Sequence, residues 1–144
     1  MAVEQLKRKN LRLQEYDYGR NGAYFITICT KERRPILCDI VGDDAHIVPT
    51  IYGEIVEEYI GSAPQIERYV IMPDHLHLIV RIEEDSGDSV GCVVRSLKTL
   101  TTKRAGESIF QRSYYDHVIR NEQDYLETVQ YIENNPRKWR LMHR

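Results

Sequence analysis

Paired cysteines are missing: Cys29, Cys38 and Cys92 are odd in number, far apart, and show no Cys-x-x-Cys spacing. That pattern speaks against a disulfide framework and against a zinc knuckle. The three read instead as small buried or half-buried residues in a reducing compartment. No stretch approaches the roughly 18 uninterrupted apolar residues of a membrane span, and residues 1–10 are polar and basic, without the apolar centre of a signal peptide. A soluble, cytoplasmic protein without a membrane partner is therefore expected. No glycine-rich loop for nucleotide phosphates is present, and internal repeats and low-complexity tracts are also lacking. Nor is there a positive excess: the net charge is −2 and the pI about 6.2, which speaks against a non-specific nucleic-acid coat protein.

A DNA enzyme is not excluded, because the distribution of charge matters more than its sum. Basic residues gather at Lys7-Arg8-Lys9 with Arg12, at Arg95, Lys98, Lys103 and Arg104, and at Arg137-Lys138 with Arg140 and Arg144. Acids gather at Glu54, Glu57 and Glu58 and at Glu83-Glu84-Asp85. Alone, each basic cluster reads as solvated surface. With 144 residues and 42% hydrophobic content, the chain has enough material for one core, and a single domain over 1–144 is expected.

Residues 23–30 are nearly all aromatic or β-branched and predict a strand. A loop containing Gly42-Asp43-Asp44 follows, and then Ile55, Val56, Tyr59 and Ile60 recur at helical spacing over 52–60. In residues 69–82 a Pro73-Asp74 pair interrupts an apolar run, so two strands joined near 72–74 are expected. After Gly87 and Asp88 a second helix carries Val90, Val93, Val94, Leu97 and either Leu100 or Thr101 as its stripe, with Arg95, Lys98 and Thr102 along another face. A fourth strand fits 113–120. Asn121 then caps a last helix supported by Asp124, which Pro136 is expected to end near Asn134 or Asn135. The order β-α-β-β-α-β-α is the α+β, ferredoxin-like split βαβ pattern, an antiparallel sheet with helices on one face, plus a C-terminal helix.

Chemistry concentrates at two places. His75 and His77 are one residue apart in a strand, so both imidazoles leave the same face while Leu76 and Leu78 leave the other. Such a pair is either two surface histidines or half of a metal site, and its apolar strand favours partners that offset desolvation. On the last helix, Tyr125, Leu126, Val129 and Ile132 are expected to face the sheet, and Tyr131 lies about 200° around the helix from Val129. Tyr131 thus shares a polar face with Glu127, Thr128 and Asn135. A phenol with a pKa of about 10 needs a nearby cation to attack a phosphodiester. Two imidazoles plus the Asn135 amide oxygen would form a partial shell for Mn²⁺ or Mg²⁺ with positions left for phosphate. His117 reads either as a strand residue with a satisfied ring or as a group supporting the metal site or DNA. Arg95, Lys98, Lys103 and Arg112, with Tyr114 or Tyr115 for base stacking, are candidates for gripping DNA.

The string YVIMPDHLHLIV at 69–80 resembles the HUH segment of REP-associated tyrosine transposases and of related single-strand transposases of insertion sequences. Further resemblance lies in YFITI at 24–28, FQRSYYDHVIRNE at 110–122 and YIENNP at 131–136, in this order, over roughly Tyr16 to Trp139. The resemblance implies an HUH fold, usually a homodimer, and a nuclease and strand-transfer activity on single-stranded or hairpin DNA that depends on Mg²⁺ or Mn²⁺. It places His75 and His77 at the metal pair and Tyr131 at the catalytic tyrosine, which joins a 5′ phosphate and frees a 3′ hydroxyl. Asn135 stands where insertion-sequence relatives have a glutamine, one methylene longer. In a dimer the tyrosine can come from either chain. Two other readings remain: a catalytically idle hairpin-DNA-binding protein, and an unrelated hydrolase that merely carries His-x-His.

Overall fold

The computed structural model describes residues 22–143. The basic cluster at Lys7-Arg8-Lys9 with Arg12, the polar segment 1–10, Tyr16 and Arg144 lie outside the described residues. In chain order the elements are β1 (Gly22–Cys29), a short 3₁₀ turn (Lys31–Arg33), β2 (Cys38–Val41), β3 (His46–Pro49), α1 (Ile51–Gly61), β4 (Ile66–Ile71), β5 (His75–Ile82), α2 (Val90–Ala105), β6 (Tyr115–Ile119) and α3 (Glu122–Met142). Four strands form one antiparallel sheet in the order β4-β5-β1-β6. This is the expected split βαβ arrangement, with β5 and β1 at its centre.

Strand alternation divides the core in two. Ile26 and Ile28 of β1 and Leu76, Leu78 and Val80 of β5 point to one face, where they meet Val56 and Ile60 of α1 and Val93, Val94 and Leu97 of α2. Each fully buried Leu or Ile here stabilises the fold by about 1.5–3 kcal/mol. Ala23, Val70, Ile79 and Ile119 point to the opposite face and pack with Met72 against Ile132 of α3, flanked by Tyr125, Val129 and Trp139. The helix starts follow from side-chain caps: Thr50, Ser89 and Asn121 accept hydrogen bonds from the amides of Gly53, Cys92 and Asp124. Gly106, at φ 82°, ends α2 with its N–H on the Thr102 carbonyl.

Four expectations need correcting. The segment around Gly42-Asp43-Asp44 is the tip of a β2-β3 hairpin, not a plain loop. Its strands are only four residues long and, apart from buried Cys38, alternate exposed with half-buried positions, so apolar patterning barely marks them. Helix α3 does not stop before Pro136; it continues to Met142. The proline removes one backbone donor, and contacts beyond it offset that loss: Trp139 packs on the second core cluster and Arg140 Nε donates to the Gly42 carbonyl at 3.0 Å. Leu126 is 54% exposed rather than on the sheet, whereas Thr128 and Asn135, expected on a polar outer face, are buried with Ile132. Thr128 can turn inward because its hydroxyl donates to the Asp124 carbonyl within the helix. Finally, Cys92 is exposed while Cys29 and Cys38 are buried. Among the described residues no helix is long and apolar enough to cross a membrane.

Candidate active site

The α3 side of the sheet carries the polar cluster. His75 and His77 leave β5 on this side, and their ring centroids are 4.7 Å apart. Register places His77 opposite Thr27 of β1, and the Thr27 hydroxyl lies 2.8 Å from His77 Nδ1. Nε2 of the same ring is buried and without a partner among the described residues. Burial first, then the neighbouring His75 and Arg33 charges, push the His77 pKa down to about 3. The ring is therefore neutral at pH 7, and with the proton on Nδ1 toward Thr27, Nε2 presents a lone pair to the site.

His75 is oriented by its neighbour. Its Nδ1 lies 2.8 Å from Asp74 Oδ1, and the other carboxylate oxygen accepts from Arg33 Nε at 3.2 Å. Burial resists ionisation of Asp74, but the bonds from His75 and Arg33 prevail and hold its pKa below the ordinary value. An ionised carboxylate can only accept, so the His75 proton sits on Nδ1 and Nε2 is the free donor of electron density. Asp74 is itself anchored, since its carbonyl accepts from both the amide and the hydroxyl of fully buried Thr30.

Helix α3 lays Tyr131 over this pair. The Tyr131 ring is 5.4 Å from His77 and 5.9 Å edge-on to Phe25, which in turn stacks on His77 at 5.0 Å. The side chain remains 45% exposed, and Lys138 Nζ stands 5.8 Å from its ring centre. Asn135, one turn on and 7% exposed, donates from Nδ2 to the Tyr131 carbonyl at 3.3 Å. Its amide oxygen makes no hydrogen bond to a described residue. Trp139 adds a wall 6.3 Å from His75.

The donor set suits a divalent ion. Two imidazoles with ring centroids 4.7 Å apart, one of them with an orphaned buried nitrogen, fit a metal better than they fit an empty core, where such a nitrogen is costly. Among the described residues no cluster of three or more His, Cys, Asp or Glu could hold a metal. An ion at His75 and His77 would thus depend on an amide, water or a substrate oxygen to complete its shell.

The candidate DNA-contacting residues divide. A groove of about 680 Å³ on the α2 side is lined by Arg95, Lys98, Lys103, Arg112 and Tyr114, together with Thr102. Lys98 is committed to the chain itself: Nζ donates to the carbonyls of Gln111 and Arg112 at 2.7 and 2.9 Å. Tyr115 lies outside the groove, 68% exposed on edge strand β6, in the same row across the sheet as Thr27 and His77. His117 is half-buried on that face, and its Nε2 lies 2.9 Å from Asp124 Oδ2, joining β6 to the first turn of α3. That bond is what the reading as a strand residue with a satisfied ring calls for.

Sequence reasoning passed over Thr27, Asp74, Arg33 and Trp139. Asp74 adjoins the histidine pair, and its charge next to a proline in an apolar run was a usable signal. Thr27 is found only once the β1-β5 register is known, and Trp139 was hidden by the assumption that Pro136 ended the helix.

Residues 20–135 match the family described as transposase IS200-like. An uncharacterised protein of Haemophilus influenzae is 31% identical over 92% of this chain and 89% of its own length. The REP-associated tyrosine transposase of Escherichia coli is 28% identical over 84% of this chain and 70% of its own. Among solved structures, a REP-associated tyrosine transposase bound to a REP hairpin superposes with a TM-score of 0.65 at 24% identity, covering 95% of this chain and 74% of that one. A family match over most of the chain, carried on the expected sheet and C-terminal helix, establishes that this protein belongs to the IS200-like transposase family.

Proposed function

We propose that the protein is a metal-dependent single-stranded DNA endonuclease and strand transferase acting on hairpin-type DNA, with Tyr131 as nucleophile and His75, His77 and Asn135 holding Mg²⁺ or Mn²⁺. The observation that carries this reading is the buried Nε2 of His77, without a partner among the described residues, 5.4 Å ring to ring from the exposed Tyr131. Tyr131 Oη attacks phosphorus while the bond from phosphorus to the 3′ oxygen breaks. The phenol gives up its proton, the departing 3′ oxygen takes one up, and the products are a 5′-phosphotyrosine and a free 3′ hydroxyl. A bound divalent ion would polarise the phosphate and stabilise charge on its oxygens. Because the phosphotyrosine conserves the phosphodiester, a second 3′ hydroxyl can reverse the step on another strand without ATP.

The rest of the chain supplies position. Thr27 and Asp74 fix the two rings, Phe25 supports both His77 and Tyr131, and the long α3 holds the tyrosine within one chain of its own histidines. The basic groove with Tyr114 offers phosphate contacts and an aromatic face to a hairpin, the kind of DNA carried by the structural relative. Gln111, next to the groove residue Arg112, donates its amide to the Cys29 carbonyl, and the strand partner of Cys29 is His75.

The test is incubation with 5′- and 3′-labelled hairpin oligonucleotides and Mn²⁺, followed by denaturing electrophoresis. A protein-DNA adduct retaining the label 3′ of the cut, abolished by EDTA, is expected. Failure to form an adduct across a broad hairpin panel, with binding intact, would leave the idle hairpin-binding protein as the correct reading.

A further inference from the structure

We infer that Arg33 grips a phosphate of the DNA strand at the mouth of the histidine-tyrosine site, an inference that rests on the strand-transfer reading. Glu32 and Arg33 are consecutive non-glycine residues in left-handed backbone, at φ 57° and 53°. Two such residues in succession are unfavourable and persist only where surrounding contacts over-determine them. Here they do: the Arg33 amide donates to the Thr30 carbonyl at 3.1 Å, the Arg34 amide to the Lys31 carbonyl at 3.2 Å, and the Thr30 hydroxyl to the Arg34 carbonyl at 2.8 Å. The turn is also stitched to its neighbour, with the Lys31 amide on the Ile109 carbonyl.

What this strain holds in place is one guanidinium. Its Nε is committed to Asp74, while no bond from Nη1 or Nη2 joins a described residue. The side chain is 53% exposed. Through Asp74, whose other carboxylate oxygen lies 2.8 Å from His75 Nδ1, it borders the metal pair. A guanidinium fixed at one nitrogen and open at two is suited to fork onto phosphate oxygens. Were the Asp74 pair its sole purpose, a lysine on relaxed backbone would serve; the left-handed turn instead holds a planar, half-exposed fork beside Asp74 and His75. Tyr115, exposed in the same row across the sheet as His77, offers a stacking face to a neighbouring base.

The experiment compares wild type with Arg33→Asn, which tolerates left-handed backbone, and Arg33→Lys. Three quantities are measured: adduct formation with Mn²⁺, Mn²⁺ affinity, and affinity for a short unstructured oligonucleotide in the presence of Mn²⁺. Arg33→Asn should slow adduct formation by about 10²-fold, weaken short-oligonucleotide binding by roughly fivefold, and leave Mn²⁺ affinity within about threefold. Added guanidinium should recover part of the lost rate, and Arg33→Lys should recover less than the arginine it replaces. Asp74→Asn should instead lower Mn²⁺ affinity, because it releases the His75 ring. An Arg33→Asn rate within threefold of wild type overturns the inference. So does a rate loss matched by equal loss of Mn²⁺ affinity without guanidinium rescue, which would make Arg33 a structural partner of Asp74 alone. If wild type forms no adduct, the strand-transfer reading fails, and unchanged oligonucleotide affinity in Arg33→Asn would overturn the Arg33 contact independently.

Discussion

Replacing Thr27 by valine removes a hydroxyl while keeping shape and strand propensity. In the wild type that hydroxyl lies 2.8 Å from His77 Nδ1 in a ring whose other nitrogen already lacks a partner. Thr27→Val leaves both nitrogens of a 5%-exposed imidazole unsatisfied, and no cavity opens to admit water. The cost is that of orphaning a buried polar group, about 1–3 kcal/mol, or a fall of roughly 3–10 °C in melting temperature for a domain of this size. The same change frees the ring to rotate, so Mn²⁺ affinity should fall about 10- to 100-fold. Urea denaturation gives the first number and metal-dependent thermal shift the second, with Thr27→Ser as the control that restores the hydroxyl. A valine variant as stable as wild type, with undiminished Mn²⁺ affinity, would refute the claim that Thr27 orients His77.

Other outcomes follow from the same structure. Alanine at Lys103 or Arg112 should weaken hairpin binding across sequences and reduce the salt dependence by about one counterion each, as read by gel-shift titration; an unchanged slope removes the residue from the DNA path. Leu97, fully buried between α2 and the sheet, should cost about 2–5 kcal/mol as alanine in urea denaturation. Pro136→Ala should stabilise by about 1–3 kcal/mol, because it restores a helix donor and relieves the ring's clash with the preceding turn. Glu67 accepts from Arg81 and from Tyr125, tying α3 to the sheet; burial resists its ionisation, but these bonds prevail and hold its pKa below 4.5. Its contribution is therefore complete above the unfolded value near 4.5 and lost as pH falls through the lower folded value. Between pH 6 and 3.5, approximate bounds for that window, wild type should lose more urea stability than Glu67→Gln, and equal losses would contradict the assignment.

The sheet was legible because its strands obey simple periodicity. Residues 23–30 and 69–82 are dense in β-branched and aromatic side chains, and Pro73-Asp74 marks the turn between β4 and β5. Alternation alone put His75 and His77 on one face. The β2-β3 hairpin was not legible, since short strands packed only at the edge of the core need little hydrophobic pattern. Helix α3 misled for two reasons: tertiary contacts at Trp139 and Arg140 outweigh the local preference of Pro136, and a hydrogen-bonded threonine and asparagine occupy buried positions that patterning assigns to leucine. The site followed the same division. Groups on a single element were found, whereas Thr27 and Arg33 matter through pairings between separate segments, which no spacing along the chain reveals.

The central claim is that Tyr131 becomes covalently joined to DNA above the His75-His77 pair. Protease digestion of the adduct followed by mass spectrometry locates the attached nucleotide directly. The account predicts a 5′-phosphate on Tyr131 within the α3 peptide, absent from Tyr131→Phe although that variant still binds the hairpin. Attachment at Tyr125 or Tyr115, or an undiminished adduct in Tyr131→Phe, would contradict it.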